Sequence, residues 1–339
     1  MQAEVDILEN DILENYPEVL EILLRDHTTQ QNIFWATDNY QDIGSDYQFS
    51  SQILPQLITG ENGHIIMPRV KKDRDLQQSR VRSMAEVFTP SWICNAQNNL
   101  IDNAWFAREN VFNTEIFESN GTRTWEVNNE KIVFPEDENW KSYVRDTRLE
   151  MACGEAPYLT SRYDTTTGEF ISIENRIGLL DRKIRIINEN TENTGEWLDA
   201  VQIAYQNIYA FEWQGDSLLL AREAMLITFI ENYTFKFGKE PLLKSIQYIA
   251  YIISWNVWQM DGLKGVIPNS CYETITNNTL DMFVESKNIT TECEGCLKGN
   301  INKHNGTYCS IKDWGNKDAE TGKKSRKIKF IDLFKNTTK

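Results

Sequence analysis

Hydrophobic residues recur at helical spacing through the first 31 positions, at Val5, Ile7, Leu8, Ile12, Leu13, Val19, Leu20, Leu23 and Leu24. The pattern predicts one or two acidic helices. Residues 45–82 are polar, with a strand-like run at 65–67, and read as a connection or a ligand-side loop. Helical character returns over 91–118, in a stretch rich in Trp, Phe and Asn. Over 119–147 the chain alternates. Thr124, Trp125 and Val127 precede Asn128-Asn129, and Ile132, Val133 and Phe134 follow it, which suggests a hairpin.

From Arg148 the texture changes. Leu149-Glu150-Met151-Ala152-Cys153-Gly154 is a short apolar run ending in Gly, as a strand opening into a loop reads. Helical periodicity follows at 198–206, a strand at 208–212, helices at 216–235 and 243–254, and a third strand at 256–260. Strand, helix, strand, helix, strand is the pattern of a parallel α/β sheet. No internal repeat is present.

Composition narrows the class. The 339 residues carry 35 Lys and Arg against 50 Asp and Glu, a formal charge of −15. With 40% hydrophobic and 11% aromatic residues, the chain has ample material for a core, in one large domain or two smaller ones. Only 17 Gly and 8 Pro exclude a collagen-like chain. No window approaches the ~18 apolar residues of a membrane span. The acidic N-terminus lacks the basic and apolar regions of a secretory signal, so a cytoplasmic location is expected. The acidic balance argues against gripping nucleic acid by bulk charge. Two basic clusters stand out: Arg69, Lys71, Lys72, Arg74, Arg80 and Arg82, and a second at 323–329. Both read first as solvated loops.

Three acidic positions mark the α/β region. Glu150 opens the loop that holds Gly154, Glu212 ends the second strand and Asp261 follows the third. Ligands of such sheets bind at the carboxyl ends of the strands. A Gly there lets the backbone approach a ligand. A carboxylate after the second strand can accept both hydroxyls of a ribose, and one after the third can meet an adenine amino group. The pattern suits an adenosine-containing ligand.

The residues also resemble a family. Glu86-Val87-Phe88-Thr89-Pro90, then 149–155, then Tyr209-Ala210-Phe211-Glu212-Trp213 with Leu220-Ala221-Arg222, then Trp258-Gln259-Met260-Asp261-Gly262-Leu263, look like DNA adenine methyltransferases. More narrowly, they are similar to the modification subunits of restriction–modification systems. The resemblance implies a Rossmann-like core over 81–265 that binds S-adenosylmethionine. Phe88, Thr89 and Pro90 would pack over its methionine part, with Glu150, Cys153 and Gly154 around it. Glu212 would hold the ribose and Asp261 would face the adenine. Adenine N6 of DNA is the acceptor it implies, with a specificity or nuclease subunit as a further partner and no membrane.

The sequence departs from the family in three ways. The loop Cys153-Gly154-Glu155-Ala156-Pro157-Tyr158 has one Gly where two are usual. The gap from Gly154 to Glu212 is long, and 162–168 with 176–185 reads as an inserted segment. The family's Asn/Asp-Pro-Pro-aromatic catalytic motif is absent, since no Pro-Pro pair occurs. The positional stand-in is Asp313-Trp314, which offers a hydrogen-bond acceptor and a ring to stack on a flipped base. If Asp313 and Trp314 do not serve, Tyr163-Asp164 in the insertion is the next pair. A catalytically degenerate relative that only binds cofactor or DNA is the alternative reading.

The cysteines form a separate signal. Cys94 and Cys153 lie in apolar runs and read as buried thiols. Cys293-x2-Cys296-x7-His304-x4-Cys309 has metal-ligand spacing in a Gly- and Asn-rich, nearly coreless stretch, and suggests a structural zinc. Cys271 is an alternative ligand. A disulfide is the rival, though no export signal supports one. The expected organisation is a helical and irregular region over 1–80, the methyltransferase-like core over 81–265, and a small zinc module with C-terminal strands over 266–339.

Overall fold

The computed structural model describes residues 9–72, 89–277, 288–315 and 325–335. Phe88, Arg74, Arg80, Arg82 and the first two lysines of the 323–329 cluster lie outside the described residues.

Helices α1 (Glu9–Asn15) and α2 (Pro17–Leu24) open the chain. Pro17 separates them, because it lacks the N–H a continuing helix needs yet suits the first turn of α2. The run at 65–67 is not a strand, and among the described residues the first 72 hold no strand at all. After α3 (Ser91–Phe106) the chain forms an antiparallel hairpin of β1 (Asn113–Phe117) and β2 (Arg123–Val127). The hairpin therefore turns one strand earlier than its Asn128-Asn129 pair suggested. Gly121 adopts φ 89° at the turn, and Asn120 accepts the Thr122 N–H at 2.7 Å. Asn128 instead ties the hairpin's open end to the Val111 carbonyl at 3.1 Å. Ile132 is buried in the core without being in a strand.

The α/β unit follows: α4 (Trp140–Arg145), β3 (Arg148–Met151), α5 (Leu179–Asn190), α6 (Thr194–Gln206), β4 (Ile208–Glu212), α7 (Gly215–Phe237), α8 (Leu243–Asn256) and β5 (Val257–Gln259). The three strands are parallel, in the order β3-β4-β5. Sequential order with right-handed crossovers puts both helical connections on one face. Ile208, Ala210 and Val257 point to that face and join the main core. Tyr209, Phe211 and Trp258 point to the other. There the chain returns through β6 (Thr274–Asn277), β7 (Asn288–Thr291), α9 (Glu294–Lys298) and the antiparallel pair β8 (Ser310–Asp313) and β9 (Arg326–Lys329). Phe211, Trp258, Met260, Ile267, Cys309, Ile311 and Phe330 form a second, smaller core under that pair. The C-terminal strands thus roof the parallel sheet and do not extend it.

The N-terminal region is no separate unit. Val19, Leu20, Leu23 and Leu24 belong to the main core. Gly215 shows how close the approach is: a Cβ there would stand 2.1 Å from the Phe34 carbonyl oxygen. The 176–185 stretch is not a surface insertion either, because it supplies most of α5, whose Ile184, Ile186 and Ile187 are fully buried. Arg182 of α5 explains the Asn-rich α3. Its guanidinium donates to Asp102 at 2.6 Å, Asn95 at 2.9 Å and Asn99 at 2.8 Å, all buried. Among the described residues no helix is long and apolar enough to cross a membrane.

Arg222 on α7 is fully buried and donates to the backbone carbonyls of Leu23, Arg25, Ser254 and Val257. It joins the ends of α2 and α8 to the start of β5. Charge-assisted bonds to buried carbonyls are each worth about 1.5–3 kcal/mol. Arg222→Met should therefore destabilise the protein by at least about 3 kcal/mol, read as a lower urea midpoint. An unchanged midpoint would contradict this role.

Candidate functional site

A cavity of about 440 Å³ opens at the carboxyl ends of β3 and β4, between them and α3. Its floor is the segment from Glu150 to Gly154, and Glu212, Gln214 and Ser217 close one side. Thr89, Gln97, Asn98 and Tyr158 close the other. Of the residues singled out in the sequence, Thr89, Glu150, Cys153, Gly154 and Glu212 line this cavity. Pro90 lies at the entrance to α3, next to Thr89.

The floor is a left-handed loop. Ala152, Gly154 and Ala156 have φ of 51°, 54° and 59°. Only glycine adopts this region without strain, so the two alanines must be held there by their surroundings. Glu212 is part of what holds them. Its carboxylate accepts the Gly154 N–H at 2.8 Å across the strands, and the N–H groups of Trp213 at 2.9 Å and Gln214 at 3.2 Å. A carboxylate has about four acceptor positions, so one remains for a ligand hydroxyl. Glu150 accepts the Tyr158 N–H at 3.4 Å through one oxygen, while the other is buried with no partner. Burial pushes the Glu150 carboxyl well above its usual range. Amides of Tyr158 and Leu159 oppose this, and the charge of Glu212 adds to it. Burial also raises Glu212, against the same three backbone bonds. Two buried carboxylates meet here, and no Lys, Arg or His is among the described residues lining the cavity.

The stretch 162–168 proves to be a tether, a role the sequence reading did not assign. Asp164 accepts the N–H groups of Thr166 at 2.8 Å and Thr167 at 2.9 Å within its own turn. Its other oxygen accepts the Ser91 N–H at 2.7 Å, at the amino end of α3. Thr165 donates to the Thr89 carbonyl at 3.1 Å. Burial would raise the Asp164 carboxyl, but the Thr166 and Ser91 bonds outweigh it and hold the group below its usual range. The run Asp-Thr-Thr-Thr-Gly is the signal that marks such a turn.

Three expected site residues stand elsewhere. Asp261 does not reach the cavity. It is buried in its own turn, accepting from Leu263 at 3.1 Å and Lys264 at 3.2 Å, with the Lys264 ammonium at 3.3 Å. The carboxyl end of β5 is taken by residues 34–36, which Gln259 grips through Phe34 N–H at 3.1 Å and Phe34 carbonyl at 2.8 Å. Asp313 and Trp314 lie at the opposite end of the sheet. The Trp314 indole donates to Asn256 at 2.8 Å, and Asn256 bonds the carbonyl of Ile208, where β4 begins. Asp313 is 3.5 Å from Arg326. Strand β8 runs back from the carboxyl end of β5 to its amino end, and carries this pair away from the cavity. Tyr163, the other candidate, donates to Glu155 at 2.5 Å.

The metal-ligand prediction needs one correction. The side chains that converge are Cys271, Cys293, Cys296 and His304, with donor atoms all within 4.8 Å of one another. Cys309 is not among them. It is fully buried in the second core and faces the Gln259 carbonyl at 3.4 Å. Cys271 takes its place, and His304 stays. His304 Nδ1 is 3.6 Å from Cys271 Sγ, 3.7 Å from Cys293 Sγ and 3.6 Å from Cys296 Sγ. Tetrahedral Zn–S and Zn–N bonds of ~2.3 and ~2.05 Å put S and N about 3.6 Å apart. The cluster could hold a metal ion such as zinc. Cys293 caps the short helix α9, and the Asn305 N–H points at its sulfur from 3.3 Å. A Cβ on Gly295 would stand 2.6 Å from the His304 nitrogen, so the knuckle requires glycine there.

Comparison with protein-family models, with curated proteins and with solved structures found no match.

Purified protein should contain about one equivalent of bound metal per chain, retained in Cys309→Ser and lost in Cys271→Ser, by elemental analysis. Chelation should speed amide exchange in 293–309 before the parallel sheet responds. Full metal content in Cys271→Ser would contradict the ligand set.

Proposed function

We propose that the chain binds S-adenosylmethionine and is a Rossmann-like, methyltransferase-like protein of the restriction–modification type, with adenine N6 of DNA as acceptor. The cavity at Glu150, Gly154 and Glu212 carries this reading. It pairs two buried carboxylates with no cationic side chain among its described lining residues. Such a site repels phosphate-rich nucleotides. A nucleoside that carries an ammonium and a sulfonium would instead offset the Glu150–Glu212 repulsion. The turned backbone at 152–154 can approach it closely. The free acceptor position of Glu212 suits a ribose hydroxyl, and the unpartnered oxygen of Glu150 suits a cationic or N–H group.

The cofactor supplies an electrophilic methyl group, so no covalent enzyme intermediate is needed. The chain's own residues then bind, orient and exclude water. The Cys271–Cys293–Cys296–His304 cluster, filled by structural zinc, would rigidify the segment that roofs the sheet.

A second reading is favoured by one observation. Asp313 and Trp314, the pair expected to clamp the base, stand at the amino end of the strands. That favours a cofactor-binding component of a restriction or defence system whose base-clamping residues lie in another chain or another segment.

Calorimetric titration with S-adenosylmethionine tests both readings, and a methyl-transfer assay on duplex DNA separates them. Glu212→Ala removes the loop's anchor as well as a ligand contact, and should weaken binding at least about tenfold. Binding of a cation requires ionised Glu150. Because its carboxyl is raised, affinity should climb as pH rises through its titration, and Glu150→Gln should flatten that profile. No heat with the wild-type protein, or a Glu212→Ala variant of unchanged affinity, removes the assignment.

A further inference from the structure

Strand β9 exposes three of its four residues, Arg326, Lys327 and Lys329. They belong to a segment unlike the rest of this acidic chain: residues 298–339 hold 11 Lys and Arg against 4 Asp and Glu. In the β8–β9 register Lys312 stands directly opposite Lys327, and Ser310 opposite Lys329. The intervening pair, Ile311 and Ile328, packs on the second core. Alternation therefore turns Lys312, Lys327 and Lys329 to the same outer face.

Like charges directly opposite on neighbouring strands are destabilising. Among the described residues none of the three lysines forms an ion pair, and Asp313 pairs with Arg326 on the inner face. Rings back them instead. Lys312 Nζ is 4.4 Å from the Trp314 centroid, 4.6 Å from Tyr251 and 5.3 Å from Trp255. Lys327 is 5.9 Å from Trp255, and Lys329 is 5.6 Å from Tyr308. His27 stacks on Trp255 at 3.9 Å. Burial and then the charges of Arg222, Arg25, Lys312 and Lys327 hold that imidazole down to about 3, so it stays neutral under a positive field.

We propose that the outer face of the β8–β9 pair binds the phosphate backbone of nucleic acid. Lysines two residues apart on a strand stand roughly 6.6 Å from each other, a row that can track a repeating anion. Phosphates supply the counter-charge that no described residue gives these lysines. The half-buried Tyr251 and Trp255 and the exposed Tyr248 offer edges and faces for sugars and bases. An acidic peptide would use the charges but not the rings. The face shares no residue with the Glu150–Glu212 cavity, so the proposal stands apart from the cofactor reading.

Fluorescence anisotropy with a labelled DNA duplex and with the corresponding single strand, each titrated with salt, tests it. Wild-type affinity should fall linearly in log–log form with salt. Lys327→Gln/Lys329→Gln should reduce the slope by about 1.4–1.8 and weaken low-salt binding roughly tenfold or more, while Lys327→Arg/Lys329→Arg should keep both. Both lysines are exposed, and S-adenosylmethionine titration of the Gln variant reports separately on the cavity. Three outcomes would overturn the proposal: no binding of either DNA by the wild type, an unchanged slope and affinity in the Gln variant, or displacement of the DNA by polyglutamate at equal charge concentration.

Discussion

The order of three parallel strands constrains everything else in this protein. Because β3, β4 and β5 follow one another across the sheet, right-handed connections place every crossover helix on one side. That side gains a large core built from α2 and α5–α8. The other side is left with Tyr209, Phe211 and Trp258 exposed to whatever the chain supplies next. The chain supplies a two-stranded roof, and the Cys3His knuckle lies on the path to it. A short, glycine- and asparagine-rich segment has little apolar material to bury, and a metal ion held by the four converging side chains would supply the cohesion that burial does not.

The same order leaves the edge strand β3 half covered. Leu149 and Met151 lie on the roofed face, yet the roof spans only β4 and β5, and they stay exposed at 44% and 71%. Glu150 points the other way, into the helical side, and becomes part of the cavity. One strand therefore carries both a solvent-facing apolar pair and a buried acid. The alternation of a single strand accounts for both.

Electrostatics divides the molecule into regions of opposite sign. Among the described residues, the cavity gathers two buried carboxylates without a cation, and the outer face of the roof gathers three lysines without an anion. Neither arrangement stabilises the fold: buried like charges raise carboxyl pKa values, and cross-strand lysines repel. Other buried charges are held in ion pairs, as Arg182 with Asp102 and Lys72 with Asp216 at 3.7 Å, or on backbone carbonyls, as Arg222. The two unbalanced sites are therefore where ligands of opposite charge have most to contribute.

The sequence by itself determined several local elements and the residues of the cavity floor. Periodicity located β4, α7 and α8 closely, because a long buried helix and a short apolar strand leave strong local patterns. Glu150, Gly154 and Glu212 were legible because strand-end acids and a loop glycine are local features too. Tertiary structure alone decided the rest. Cys309 has ligand spacing but immediately precedes β8 and turns its sulfur into the second core, while Cys271 reaches the knuckle from 22 residues upstream of Cys293. Asp261 stands near a strand's carboxyl end as the other two acids do, yet residues 34–36 occupy the end of that strand, more than 200 positions away in the chain. Asp313 and Trp314 were placed by the direction of β8, which no local pattern encodes. Spacing reports which residues are near in the chain. Which of them meet depends on where strands point and what has already filled the space.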